Sequence, residues 1–191
     1  MSTLKVDEIL KRTGTGTITI GQSGDTISIP SGATLNSAGT NTLEGIANTP
    51  SFHIRKSSNQ TGLSSGGWTK VTFDDEVFDT DNAFASDKFT APSDGKYFFT
   101  SAAKINDGGT NTLLGSGMRF TINGAIAAEE LHFMANGSNG AEGKSVTAVL
   151  NLTASQYVEA YAYAQDDAGG TCSITGGNDR DTFFMGFKLI T

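Results

Sequence analysis

The chain has 191 residues, a formal net charge of −7 and one cysteine, Cys172. No cluster of Lys and Arg forms a basic face, which excludes nucleic acid and an anionic membrane as partners, and no apolar run reaches the length of a membrane span or a signal-peptide core. A single cysteine excludes an internal disulfide. Gly, Ser, Thr and Asn supply 79 of the 191 residues and charged residues only 17%, so long amphipathic helices are excluded in favour of short strands and tight turns.

Residues 1–12 set Leu4, Val6, Ile9 and Leu10 among Lys and Glu, which suits a short helix and an extended docking strand equally. Residues 14–49 carry no Lys or Arg and only Asp25 and Glu44 as acids, whereas all aromatic residues lie at or beyond Phe52. This break divides the chain into an attachment and shaft region, 1–49, and a globular region, 50–191. Within the first, the pair Ile18 and Ile20 is echoed nine positions later by Ile27 and Ile29. Alternation puts each pair on one face, and Gln22-Ser23-Gly24 can turn the chain between them. One hairpin of this size is marginal in water, and scattered small aliphatics close no core, so the pattern calls for copies. Three chains winding about an axis would pool their Ile ladders into one interior. A solvated Gly/Ser/Thr tether is the alternative, and the regularity of the pairs speaks against it.

From Phe52 onward, strands are predicted over 51–56, 68–78, 84–91, 96–106, 117–123, 125–134, 144–152, 156–164 and 182–190. This number of strands fits a two-sheet sandwich. Pro92 pre-sets φ at the first corner of a tight turn and Gly95 tolerates positive φ, after which Lys96-Tyr97-Phe98-Phe99-Thr100 runs as a core strand. Asn123-Gly124 is the sharpest hairpin signal, since a two-residue turn of this type wants positive φ twice. Cys172 is expected as a small buried residue.

Several of these segments, in this order, resemble the C1q/TNF-like jelly-roll family. Trp68-Thr69-Lys70-Val71-Thr72-Phe73 resembles its early strand before an Asp-rich connection, here 74–82. The run from Phe89 through Pro92, Gly95 and Tyr97 to Phe99 is similar to its F-x-x-P-x-x-G-x-Y-x-F signature. Residues 145–152 and 156–160 resemble its paired late strands, and Thr182-Phe183-Phe184-Met185-Gly186-Phe187-Lys188-Leu189 resembles its closing T-F-x-G-F-x-L strand. The resemblance covers residues 52–191 and implies an all-β, ten-strand jelly-roll sandwich that assembles as a homotrimer. Tyr97, Phe99, Phe183, Phe187 and Leu189 are the residues expected in core or trimer packing. Phe183, Phe187 and Leu189 alternate onto one face of the last strand and Phe184 and Gly186 onto the other; which set fills the sandwich stays open. Residues 3–39 resemble fibre-like proteins of marine bacteriophages, which implies an anchor, a short shaft and a distal knob.

The residues point away from catalysis. His53 and His132 sit in apolar, strand-like surroundings without a nucleophile motif, and the neighbouring acids Asp74-Asp75-Glu76 and Glu129-Glu130 alternate to opposite faces of a strand. No cofactor is expected; calcium is the one metal that the acidic loops Asp166-Asp167 and Asp179-Arg180-Asp181 suit, though neither shows a spaced ladder of oxygen ligands. Recognition, if it occurs, falls to loops such as 106–116 and 136–143. The expectation is a structural virion protein, made in the bacterial cytoplasm: a homotrimeric tail fibre that joins other virion proteins through residues 1–49 and binds a host surface glycan or protein with its knob. A capsid-decorating fibre without receptor binding is the runner-up, and a secreted C1q-like lectin the third class.

Overall fold

The structure, a computed structural model, describes residues 20, 23–28, 31–33, 49–107, 113–134, 140–167, 170–177 and 181–189. The chain divides into two units, Met1–Gly45 and Ile46–Thr191. In the first, turns fall at residues 23–24 and 31–32, with Gly24 at φ +93° and Gly32 at φ +85°. Ile20 and Ile27 are each 61% exposed and neither lies in a strand. Ile18 and Ile29 lie outside the described residues.

The second unit is a sandwich of antiparallel strands: β1 (Ser51–Arg55), β2 (Gln60–Leu63), β3 (Gly67–Lys70), β4 (Asp75–Asp79), β5 (Phe84–Ala85), β6 (Lys88–Thr90), β7 (Gly95–Asn106), β8 (Leu113–Ile122), β9 (Ala125–Phe133), β10 (Ala141–Leu152), β11 (Tyr157–Asp166), β12 (Cys172–Ile174) and β13 (Phe183–Lys188). One sheet runs β2-β12-β7-β13-β1-β4, with β10 along the other edge of β7; the second runs β5-β6-β11-β8-β9, with β3 also on β11. The long strand β7 organises the first sheet. Strand β10 pairs with its whole length, while β13 and β12 share its opposite edge. Strand β11 does the same for the second sheet, holding β8 on one side and β6 and β3 on the other.

Asn123-Gly124 joins β8 to β9 with φ of +50° and +83°, the turn that this dipeptide predicts. Two of the expected strands divide. Segment 84–91 breaks at Ser86 and Asp87, both at positive φ, into the hairpin β5–β6. Segment 68–78 breaks at residues 71–74, where the chain leaves one sheet for the other: the Val71 amide donates to Ala160 of the second sheet and the Asp74 amide to Arg55 of the first. Side chains take over the backbone at this crossing. Asp87 accepts from the Phe73 amide, and buried Lys56 donates to the Thr72 carbonyl and hydroxyl. The Asp-rich connection 74–82 therefore contains a strand, β4, paired with β1.

The Pro92 turn joins β6 to β7 and is tied to the turn before β11. The Ala91 amide donates to Gln156 and the Ala154 amide to the Asp94 carboxylate, while the Tyr97 hydroxyl donates to the Ser93 carbonyl at 2.6 Å. Inside the sandwich, Phe52, Phe99 and Phe184 of the first sheet meet Phe84, Phe89 and Phe120 of the second, with ring centroids 5.1–6.1 Å apart. Tyr97 and Phe99 are fully buried, as expected of the fourth predicted strand. The last strand resolves its two faces: Phe184 and Gly186 point into the sandwich, and Phe183, Met185 and Phe187 lie half-buried on the outside. Gly186 sits opposite both Phe52 and Phe99, and a Cβ there would come within 2.5 Å of the Phe99 ring.

Phe184→Ala is expected to destabilise by about 3–5 kcal/mol through the cavity it leaves, and Gly186→Ala by about 1–3 kcal/mol through overpacking. Urea denaturation measures both.

Candidate functional site

The outer face of the first sheet is apolar in its middle. Strand register lines up its side chains in rows that cross the sheet. One row runs Val149, Phe98, Phe187, Ser51, and the next Thr147, Thr100, Met185, His53, Phe78. Phe98 and Phe187 pack at 5.2 Å with their rings tilted by 31°, and His53 lies edge-on between Phe78 and Phe183 at 6.1 and 6.0 Å. Val149 is 56% and Phe78 45% exposed, although both sit in regular strands. Polar groups interrupt the apolar face: Thr147 of the outer strand β10 shares a hydrogen bond with Thr100, and at the β4 side Arg55 pairs with Asp75 at 2.7 Å. An exposed apolar patch with polar groups beside it has the anatomy of an association surface. Leu189 is half-buried and continues the pairing, its amide donating to the Lys96 carbonyl.

A different surface covers the second sheet. In β11 the alanines 160, 162 and 164 point inward, and Tyr157, Glu159, Tyr161, Tyr163 and Gln165 outward. Trp68 of β3 packs on Tyr163 at 5.3 Å, and Tyr163 meets Phe133 of β9 at 5.8 Å. The Arg119 guanidinium of β8 lies 4.5 Å from the Trp68 ring centre and 5.2 Å from that of Tyr161. Gly115 and Gly117 leave room beneath the side chains of Phe133 and Leu131, which a Cβ at either position would strike. Lys70 and Glu159 form an ion pair at 2.8 Å, and the Tyr161 hydroxyl also donates to Glu159. Sequence reasoning gave none of these residues a site role: it placed Trp68 and Lys70 in an early strand and Tyr157 and Glu159 in a late one, and nothing more. The alternation of tyrosine with alanine along 160–164 is the signal that was available.

Of the candidate chemical groups, most have structural partners. Burial, and then the charge of Arg55, hold the His53 imidazole below its ordinary pKa. Burial would raise Asp74, but hydrogen bonds from Ser58 and Ser57 and the charge of Lys56 outweigh it and lower its pKa. Glu129 and Glu130 point to opposite faces, toward Arg119 and Lys144. His132 is exposed beside Glu142. Cys172 is buried, and burial followed by the charges of Asp166 and Asp107 raises its thiol pKa. Asp166 accepts from the Gly170 amide. Among the described residues no group of three or more His, Cys, Asp or Glu could hold a metal ion. Asp179, Arg180 and the middles of both expected recognition loops lie outside the described residues.

A comparison with protein-family models gives no match, and no curated protein is similar to the chain. Among solved structures, the globular domain of zebrafish complement 1qA protein is similar with a TM-score of 0.50 at 18% identity, over 74% of this chain and 98% of that one. Murine APRIL, crystallised at pH 5.0, is similar with a TM-score of 0.51 at 14% identity, over 73% of this chain and 98% of that one. The fold is a C1q/TNF-like jelly roll. In this jelly roll the expected closing strand is β13 and the expected turn-to-strand signature is the β6–β7 junction.

Since His53 favours its neutral form in the folded state, stability contributed by that preference is present above its ordinary pKa of 6.5 and falls as pH drops below it. Denaturation between about pH 8 and about pH 5 should show a smaller acid-side loss for His53→Gln than for the unaltered protein.

Proposed function

We propose that the protein is a non-enzymatic structural component of a bacteriophage particle, a homotrimeric tail fibre whose jelly-roll knob binds the host surface. The apolar outer face of the first sheet carries this reading. Rings on neighbouring strands, Phe98 and Phe187, with Met185, Val149 and Phe78 beside them, form a patch that a lone domain leaves in water. Two further copies of the chain would cover it. Copies also supply what Ile20 and Ile27 lack in a single chain, a partner surface for exposed aliphatic side chains. The resemblance of residues 3–39 to fibre-like phage proteins supplies the setting, with residues 1–49 as the attachment to other virion proteins.

Sedimentation equilibrium on the full chain should give a mass three times the 19.9 kDa of one chain. Phe187→Asp with Met185→Asp should shift it to the single-chain mass while the far-ultraviolet spectrum remains that of a β protein. A single-chain mass for the unaltered protein sinks the trimer. Antibody labelling of intact particles at the tail, with adsorption blocked by the purified protein, supports the fibre; labelling on the head replaces it with a capsid-decorating fibre.

A further inference from the structure

We propose that the aromatic outer face of the second sheet is a binding site for an uncharged polysaccharide, with Trp68, Tyr161, Arg119 and Glu129 as its core; the inference deepens the host-binding reading above and rests on it. The case begins with Arg119. Its guanidinium is held by rings, 4.5 Å from the centre of Trp68 and 5.2 Å from that of Tyr161, and not by hydrogen bonds. Its Nε is buried without a hydrogen-bond partner, and the nearest carboxylate oxygen, on Glu129, lies 3.8 Å from Nη1, too far for a direct bond. Arginine carries five donors and no acceptor, and an orphaned donor in a desolvated place is costly. Here the aromatic contacts fix the group with Nε closed off beneath the surface, and the Nη nitrogens of a side chain 19% exposed are the donors left for a ligand.

Glu129 complements it. Its carboxylate is one-third exposed and has capacity to spare, beside a guanidinium with the same property. A donor group and an acceptor group side by side match two neighbouring hydroxyls of a sugar ring, one oxygen accepting from Arg119 and one proton donated to Glu129. The C–H face of the same ring suits the aromatic surface of Trp68 and the exposed Phe133, which pack on the buried Tyr163 between them. Charge decides between sugar classes. Lys70 and Arg119 are balanced by Glu159 and Glu129, and the first of these pairs is closed on itself at 2.8 Å. Among the described residues, Lys88, over the Tyr157 ring at 4.6 Å, is the one cation of this face without a carboxylate beside it; a single cation at the β6 edge, on a chain that as a whole carries −7, makes no basic surface to attract a polyanion. A neutral polysaccharide is therefore the fitting occupant.

Trp68 is the only tryptophan in the chain, so its emission reports directly on this face. The full-length protein is run through native gels containing dextran, mannan, laminarin or, as the acidic comparison, alginate, and the same polysaccharides are titrated while Trp68 emission is followed. At least one neutral polysaccharide should retard the protein and shift or quench the emission saturably. Arg119→Gln and Glu129→Gln should each weaken this about tenfold, with melting temperatures unchanged. The site is overturned by retardation in none of the neutral gels, by binding confined to alginate, by binding that leaves the emission unaltered, or by full binding in both variants. Adsorption separates the two readings. If Arg119→Gln blocks adsorption as well as the unaltered protein, the sugar site falls and host binding stands; if the protein binds a neutral polysaccharide at Trp68 but blocks no adsorption, host binding falls and the sugar site stands.

Discussion

Everything in the jelly roll depends on the phenylalanine cluster that joins its two sheets. Phe52 opens the sandwich and Phe184 closes it, and their rings meet edge to face at 5.0 Å with Phe99 against both. These three come from strands far apart in the chain, so the cluster forms only when β1, β7 and β13 lie side by side. The second sheet answers with Phe84, Phe89 and Phe120 and, between them, with alanines. Buried rings contribute the largest single apolar areas available to a chain of this composition.

That division of volume explains the outer faces. Because rings of the first sheet reach across the sandwich, the middle strand of the second sheet has small residues inside, and its tyrosines are left to the outside. On the first sheet the inner positions take the large rings, yet phenylalanine and methionine occupy the outer positions as well. The sandwich thus presents two unlike surfaces. One is apolar and interrupted by hydroxyls and an ion pair; the other mixes rings with balanced charges. Association with copies and recognition of a polar ligand need these different chemistries and do not compete for one face.

The features legible in the sequence were those encoded locally. Asn123-Gly124 and the Pro92 turn carry their geometry in their own residues, and Tyr97, Phe99 and the terminal strand announce a core by their rings. The shift of the chain between sheets at residues 71–74 was not legible, because it depends on Asp87 and Lys56, distant in sequence and brought in by the fold. Strands β2 and β12 were missed for a similar reason: each is short, and they pair with one another, β12 also with the end of β7. The aromatic face of the second sheet was not legible because alternation separates two sets of side chains without saying which of them faces the core. Along Tyr157–Asp166 the pattern runs the other way.

The flanking of β1 has a mechanical consequence. This strand follows directly on residues 49–50 and is held along its length by β13 on one side and β4 on the other. A pull transmitted along the chain into Ser51 therefore loads the rungs of both ladders together, in shear, and must draw the Phe52 ring out of the cluster as it does so. Hydrogen bonds peeled singly fail at low force, whereas rungs sheared in parallel fail together at a higher one. A domain that meets its load at this strand resists tension where its core is densest in rings.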